Sequence, residues 1–232
     1  MARITRKELK TDKFALEVEH TAVFFEEHRQ DIIRYGAAAV VVLLLIFGYI
    51  LYSHRQQAAR EQELSKAIQV QEAPVGPSQN GALAFPTQEA KDQEAMKSFS
   101  AIESKYSGSA EGAIAQYYVG AIQADAGKLA DAEKNFQAVA QNGNEKYASL
   151  AKLSLAQIYF ADGRASQGES ILRDLMAHPT VFVSKEQAQI TLARYLSTRN
   201  PAEARKLLDP LRTQGGSVGQ VAISLYGELP PQ

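Results

Sequence analysis

The apolar stretch YGAAAVVVLLLIFGYILYS occupies Tyr35–Ser53 and contains no charged side chain. Arg34 precedes it and His54 follows it. Because an α-helix rises about 1.5 Å per residue, a run of about 20 apolar residues crosses a hydrocarbon core of about 30 Å. The sequence therefore predicts a transmembrane helix over 35–53. Tyrosines lie near both of its ends, where aromatic rings favour the headgroup region of a bilayer.

Two other interpretations of this stretch fit less well. A buried core helix of a soluble domain is usually shorter and has a polar face. A cleaved signal peptide has a short basic lead and an apolar run of about 7–15 residues, whereas 34 residues precede Tyr35 in this chain. We therefore expect a signal anchor that stays in the mature protein.

The residues before the span, 1–34, are expected to form a cytoplasmic tail with seven Lys and Arg residues. Between Phe14 and Ile32 apolar residues recur at helical spacing among acidic ones, which predicts an amphipathic helix that runs into the span. Lys and Arg are similarly frequent just before and just after the span, so charge alone does not orient the chain. A basic tail is readily retained and a large distal domain is translocated whatever its charge, which favours a cytoplasmic N-terminus.

Composition narrows the function classes. The chain has 232 residues, a net charge of −1 and no cysteine. The balanced charge gives no indication of nucleic-acid binding, and the lack of cysteine removes thiol catalysis, zinc-thiolate sites and disulfides. The four histidines match no metal-ligand spacing, and no phosphate loop or nucleophile elbow is present. We predict a protein that is not an enzyme and that uses no cofactor, metal or small-molecule substrate.

Residues 54–87 are predicted to be a stalk and a linker. His54–Glu72 is rich in Gln, Ala, Glu and Arg without a strong apolar face, so we expect it to continue the helix into water. Ala73–Pro86 concentrates Pro, Gly, Ser and Asn, which breaks helical continuity and indicates a domain boundary. The last domain is then expected to span 88–232.

This last domain repeats along the sequence. Gly120, Ala156 and Leu192 are spaced by 36 residues, and the residues around them align in the same register. Each unit predicts two helices, at 110–126 and 128–141, at 145–162 and 164–177, and at 184–198 and 201–212. Gly127 and Gly163 fall at the turn inside their units, as expected of helix C-termini. A half-unit at 88–106 precedes the three units, and a capping helix at 219–229 follows them.

These positions resemble the tetratricopeptide repeat family, a stack of antiparallel helix pairs. The family pattern of small, aromatic and large apolar residues around a turn glycine is met in the second unit by Ala156, Tyr159, Gly163, Gly168 and Leu172. The third unit departs from it with Arg199 in place of the glycine, and the first with Gln123 in place of the aromatic residue. The resemblance implies an all-α chain in which a transmembrane helix precedes a tetratricopeptide-like helical-repeat (α-solenoid) domain.

The whole layout is similar to the bacterial single-span tetratricopeptide proteins related to the ancillary subunit of the Sec translocon. The similarity rests on the short tail with Phe24-Phe25-Glu26-Glu27, one span, a stalk rich in Gln, Ala and Arg, and a small repeat domain. It implies an inner-membrane protein whose repeats face the periplasm. It also implies a scaffold whose partners, besides the lipid bilayer, are the translocon, a periplasmic chaperone or segments of secreted proteins.

In the repeat family, the first helix of each pair lines a concave surface that binds protein. At the corresponding positions of this sequence, the partner-binding candidates are Ile114, Tyr117, Ala121, Asp125, Leu153, Gln157, Phe160 and Gln189, with Leu150, Glu186, Ala193 and Leu196 beside them. They lack the ladder of Lys and Asn that clamps a terminal carboxylate, so an extended or helical apolar segment is the predicted ligand. For Leu150, Leu153 and Phe160 a core position is an open alternative.

A rival interpretation makes the chain an integral accessory subunit of a larger membrane complex. In that case Phe14–Tyr52 would bind the partner and the repeats would only cover a neighbouring subunit.

Overall fold

The computed structural model of the chain describes residues 29–77 and 81–230, and these residues form nine helices and no strand. The helices are α1 (Arg29–Glu72), α2 (Gln88–Lys105), α3 (Ala110–Asp125), α4 (Leu129–Asn142), α5 (Glu145–Ala161), α6 (Ala165–Ala177), α7 (Lys185–Leu196), α8 (Pro201–Arg212) and α9 (Gly216–Gly227). The predicted all-α class is confirmed. The predicted amphipathic helix lies, up to residue 28, outside the described residues.

The apolar stretch forms part of α1. The helix is long and apolar enough from Ile33 onward to cross a membrane, and none of its most apolar window is buried. Leu45, for example, is 69% exposed. Among the described residues, the apolar stretch is therefore not a buried helix. The described residues divide after Ala58 into two units.

Three helix pairs, α3/α4, α5/α6 and α7/α8, form the predicted repeats, and their six helices begin and end within two residues of the predicted positions. Each first helix has a polar N-cap, which the sequence supplies at the right place. The caps are Ser109, Asn144 and Ser184, and each side-chain oxygen accepts a hydrogen bond from the backbone N–H three residues on.

The turns inside the first two units depend on glycine. Gly127 and Gly163 have φ angles of 75° and 73°, in the left-handed region that other residues rarely adopt. The third turn has no glycine and is closed differently. The backbone N–H groups of Arg199 and Asn200 both donate to the Leu196 carbonyl, at 3.1 and 2.8 Å. Asn200 then caps α8, which begins with Pro201.

Small residues allow the paired helices to approach closely, as the repeat pattern predicts. A Cβ atom at Gly120 would lie 3.0 Å from the ring of Phe136, and one at Gly168 would lie 2.5 Å from the ring of Phe160. The large partners fill the spaces between pairs, since Phe136 is 1% and Leu172 0% exposed. Interdigitation of this kind is what holds a solenoid together, because each pair contacts only its neighbours.

Ion pairs connect successive second helices. The Arg164 guanidinium donates two hydrogen bonds to the Glu133 carboxylate, at 2.8 and 2.6 Å, and it also lies 4.3 Å from the centre of the Tyr159 ring. The hydrogen bonds from this guanidinium, together with its positive charge, hold the pKa of Glu133 below the usual range. One unit further along, Arg173 on α6 donates to Glu203 on α8 at 2.5 Å. These contacts link α4 to α6 and α6 to α8.

The structure differs from the sequence prediction in the stalk. Leu64 and Ala67 on α1 are 7% and 2% exposed, and they lie in one buried cluster with Phe99 of α2. Arg60 pairs with the buried Glu111 carboxylate at 3.2 Å, and Lys105 pairs with Glu63 at 2.7 Å. Residues 59–72 therefore pack with α2 as one more helix pair. The compact unit begins at Ala59 rather than near Gln88.

The proline- and glycine-rich segment lies between the two helices of this extra pair. Helix α1 ends at Glu72 and α2 begins at Gln88, so helical continuity is broken where the sequence predicts. Two backbone hydrogen bonds close the segment on itself, from Gly76 N–H to the Phe85 carbonyl at 2.8 Å and from Phe85 N–H to the Pro74 carbonyl at 3.0 Å. The segment thus connects two packed helices.

Candidate functional site

A groove lies between α3 and α5, the first helices of two consecutive pairs. Helix α4 contributes to its floor. The groove contains a pocket of about 240 Å³. The lining residues are Ala121, Ala124, Asp125, Leu129, Phe136, Ser154, Gln157, Ile158 and Ala161. We call this feature the α3–α5 pocket.

The pocket exists because its walls carry short side chains. Ala121 and Ala124 stand on α3, and Ala161 ends α5. The floor is made by Phe136 and Ile158, which are 1% and 5% exposed and are held in place by the core. The result is an apolar pocket with a rigid base, which is the general form of a site that binds a side chain of a partner.

Three of the sequence-predicted residues come together here. Ala121, Asp125 and Gln157 all line the α3–α5 pocket, and the last two are exposed. Among the described residues, neither the Asp125 carboxylate nor the Gln157 amide has a side-chain hydrogen bond or an ion pair. Two polar groups without partners on the edge of an apolar pocket are available to an incoming ligand.

Tyr117 lies deeper than an open-groove position. Its ring centre is 5.6 Å from that of Phe136 and 5.5 Å from that of Tyr147, within a buried cluster. Burial raises the pKa of Tyr117, while the neighbouring Ser154 side chain acts in the opposite direction. Since Ser154 itself lines the pocket, Tyr117 supports the pocket wall from behind.

The aromatic cluster continues beyond Tyr117. The Tyr118 ring stacks on Phe99 at 4.6 Å, and Tyr147 contacts Phe182 at 5.5 Å. Burial, reinforced by the neighbouring Tyr118, raises the pKa of Tyr147. These rings run from α2 through α3 and α5 to the loop before α7, so they join successive helix pairs.

Leu153 and Gln189 are buried in the structure. Leu153 is 8% exposed and belongs to the cluster that includes Leu192 of α7. Gln189 is 7% exposed, and its side-chain N–H donates to the Leu207 carbonyl at 2.6 Å. That bond satisfies a buried amide and ties α7 to α8. Neither side chain is accessible to a partner, so neither belongs to the proposed site.

Phe160 and Ile114 are half-buried. The Phe160 ring stacks on Tyr195 with 3.7 Å between ring centres, and it covers the backbone at Gly168. Ile114 packs against the cluster around Phe99. Both side chains contribute to packing between neighbouring helices, and neither lines the α3–α5 pocket.

Six residues of the pocket are absent from the sequence-derived set: Ala124, Leu129, Phe136, Ser154, Ile158 and Ala161. Phe136 is recognisable in sequence, but as a packing residue. Leu129 belongs to the second helix of its pair, whereas the carried-over positions all lie on first helices. The sequence does not identify the alanines as pocket residues, because a small residue in a helix is equally suited to close packing.

Metal binding has no candidate in the described part of the chain. Within it, no group of three or more His, Cys, Asp or Glu side chains is arranged to hold an ion.

A comparison with protein-family models matches residues 24–209 to a tetratricopeptide repeat-like domain. The chain belongs to the tetratricopeptide repeat-like family. The matched range begins before the apolar stretch, so it covers that stretch together with the repeats up to α8. Tetratricopeptide repeat-like domains generally mediate contacts between proteins, and the family is typically non-enzymatic. Searches of the curated proteins and of the solved structures give no match.

Proposed function

We propose that this protein is a membrane-anchored, non-enzymatic scaffold whose tetratricopeptide-like repeats bind a segment of a protein partner in the α3–α5 pocket. The observation that carries the proposal is the pocket itself. It combines a rigid apolar floor with the unpaired side chains of Asp125 and Gln157. Stacked helix pairs offer such concave surfaces to extended or helical segments of other proteins.

Membrane anchoring is the second part of the proposal. The exposed apolar stretch 35–53 in α1 supports it, because in water this surface would have no covering partner. We propose that the tail is cytoplasmic and that the repeats lie outside, in the periplasm of a bacterium with the helix in its inner membrane. The basic tail and the large distal domain favour this orientation.

The partners are proposed from the similarity of layout described above. A scaffold with this topology is suited to hold the translocon, a periplasmic chaperone or an emerging segment of a secreted protein next to the bilayer. In this role the protein assists translocation or folding without chemistry of its own.

The rival function is that of an accessory subunit held in a larger membrane complex by its tail and α1. The exposed apolar stretch 35–53 of α1 favours it, since a second membrane helix can pack there as well as lipid can.

Co-purification distinguishes the two functions. We expect the full-length chain to retain its partner from a membrane extract, and a chain that ends at Ala58 to lose it. The point variant Gln157→Arg places a bulky cation on the pocket rim and should also lose the partner. Lys134→Gln changes an exposed residue that does not line the pocket and serves as the matched control. If the chain that ends at Ala58 still retains the partner, the accessory-subunit function is favoured and the scaffold function fails.

A further inference from the structure

The charge around the α3–α5 pocket is negative on one side. Asp125 is the last residue of α3, and its exposed carboxylate lines the pocket without an ion pair among the described residues. The pocket also contains Ala124 from the last turn of α3 and Ala161 from that of α5. The carbonyl ends of helices carry a partial negative charge, and neither last turn contains a basic residue that would offset it.

In the described part of the chain, neither of the two nearby cations forms an ion pair with Asp125. Arg164 follows α5, but its guanidinium is bonded to Glu133 and Asp162. Lys128 lies in the turn after α3 and is not one of the residues that line the pocket. A ligand that brings its own positive charge is therefore favoured at the rim.

The walls of the pocket suit a long aliphatic stem. Ala121, Ala124 and Leu129 provide apolar surface between the floor and the rim. Lys and Arg side chains bury such stems along apolar surface while their charged ends stay near water. Oxygen atoms of Asp125, Gln157 and Ser154 are the acceptors that a guanidinium or an ammonium group needs, since neither group can accept a hydrogen bond.

From this combination we infer that the α3–α5 pocket recognises a basic side chain, arginine or lysine, on a segment of the protein partner. The stem lies against the alanines of α3, and the cationic group meets Asp125 at the rim. The inference rests on the proposed function, because it names the chemistry of the segment that the groove binds. It excludes an acidic segment, whose carboxylates would meet Asp125 and the two helix ends.

The first test measures the potential at the pocket without any peptide. The natural chain has no cysteine, so Ala161→Cys introduces a single thiol at the pocket. The full-length protein in nanodiscs is treated with a trimethylammonium-ethyl and a sulfonato-ethyl methanethiosulfonate. The ratio of the cationic to the anionic reaction rate should be about five to ten times larger at Ala161→Cys than at the control Val181→Cys. Val181 lies away from the pocket and is 85% exposed.

Addition of Asp125→Asn to Ala161→Cys should remove most of this preference. Equal reagent ratios at the two cysteines, or a preference that Asp125→Asn leaves unchanged, would overturn the inference and leave the proposed function standing.

The second test measures binding. The probe is a fluorescein-labelled peptide, Ser-Gly-Leu-Ala-Arg-Ala-Leu-Gly-Ser, with norleucine or glutamate replacing the arginine in two companions. Fluorescence polarisation should show the arginine peptide binding about five times more tightly than the norleucine peptide, with the glutamate peptide weakest. Asp125→Asn should bring the arginine and norleucine peptides within about twofold of each other, as expected when one rim charge is lost.

The outcomes separate the inference from the proposed function. Binding of all three peptides with equal affinity, or a preference for glutamate, overturns the inference but keeps a peptide-binding groove. Failure of all three peptides to bind overturns the inference, and co-purification with Gln157→Arg then decides whether the groove binds protein at all.

Discussion

Leu64→Ala tests whether the segment after the apolar stretch belongs to the repeat domain. Leu64 is 7% exposed and shares a buried cluster with Ala95, Phe99 and Val119. Truncation of a buried leucine to alanine costs about 2–5 kcal/mol. Because Leu64 is at the edge of the cluster, we expect the lower part of that range, about 2–3 kcal/mol. In a folded unit of this size, 1 kcal/mol shifts the melting temperature by about 2–4 °C, so Tm should fall by about 4–12 °C.

The assay is thermal denaturation of the full-length protein in detergent, followed by near-ultraviolet circular dichroism of the tyrosines. This signal reports the packed rings around Tyr117 and Tyr118. Leu83→Ala is the matched control, since Leu83 is 50% exposed and its truncation should change stability by less than about 0.5 kcal/mol. If Leu64→Ala melts together with Leu83→Ala, residues 59–72 do not pack with α2, and the extra helix pair is refuted.

Three further predictions concern the core, an ion pair and the topology. Phe136→Ala should lower the free energy of unfolding by about 3–5 kcal/mol in a thermal or urea melt. Tyr117→Ala should lower it by about 2 kcal/mol, because the Tyr117 ring is only half-buried. A Tyr117→Ala protein as stable as wild type would place that ring in an open groove. Arg164 lowers the pKa of Glu133, so the stability that this pair contributes is present above the ordinary glutamate pKa of about 4.3 and is lost as the pH falls through the lower folded-state pKa. Between neutral pH and pH ~3 wild type should therefore lose more stability than Glu133→Gln, and parallel pH profiles would contradict the assignment. A reporter that fluoresces only in the cytoplasm, fused after Gln232, should stay dark, and a bright fusion would reverse the proposed orientation.

The repeats were predictable from sequence because several independent signals agree there. Gly127 and Gly163 mark the turns, and the large apolar residues recur with the same period. Local preferences and the packing pattern indicate the same helices, which is typical of a sequence that specifies one fold. The third turn was also predictable in position, although Arg199 stands in place of the glycine; Asn200 and Pro201 begin the next helix.

The packing of the stalk was not predictable, because its apolar face is short. Leu64, Ala67 and Ile68 have helical spacing, but they are surrounded by Gln, Ala and Glu that indicate a solvated helix. Only the tertiary position of Phe99 and Ile102 turns these residues into a core face.

The groove was predictable only in part, for two physical reasons. Family positions identify which face of a first helix contributes to the concave surface of the stack. They do not identify which residues on that face a neighbouring helix covers. Gln189 has a polar side chain typical of an exposed site, and it is buried because the Leu207 carbonyl satisfies it. The pocket itself is a space left beside small residues such as Ala124 and Ala161. Alanines next to an open space and alanines in close helix contacts look the same in sequence.

Site-specific photo-crosslinking tests the central claim most directly. A benzoylphenylalanine placed at Gln157 in the full-length protein lies on the rim of the α3–α5 pocket, whereas one placed at Lys134 lies on an exposed position that does not line it. In intact cells we expect protein adducts from Gln157 that Asp125→Arg suppresses, and none of the same mass from Lys134. Equal adducts from both positions, or adducts formed only from positions in the apolar stretch 35–53, would contradict a scaffold that binds its partner through the repeats.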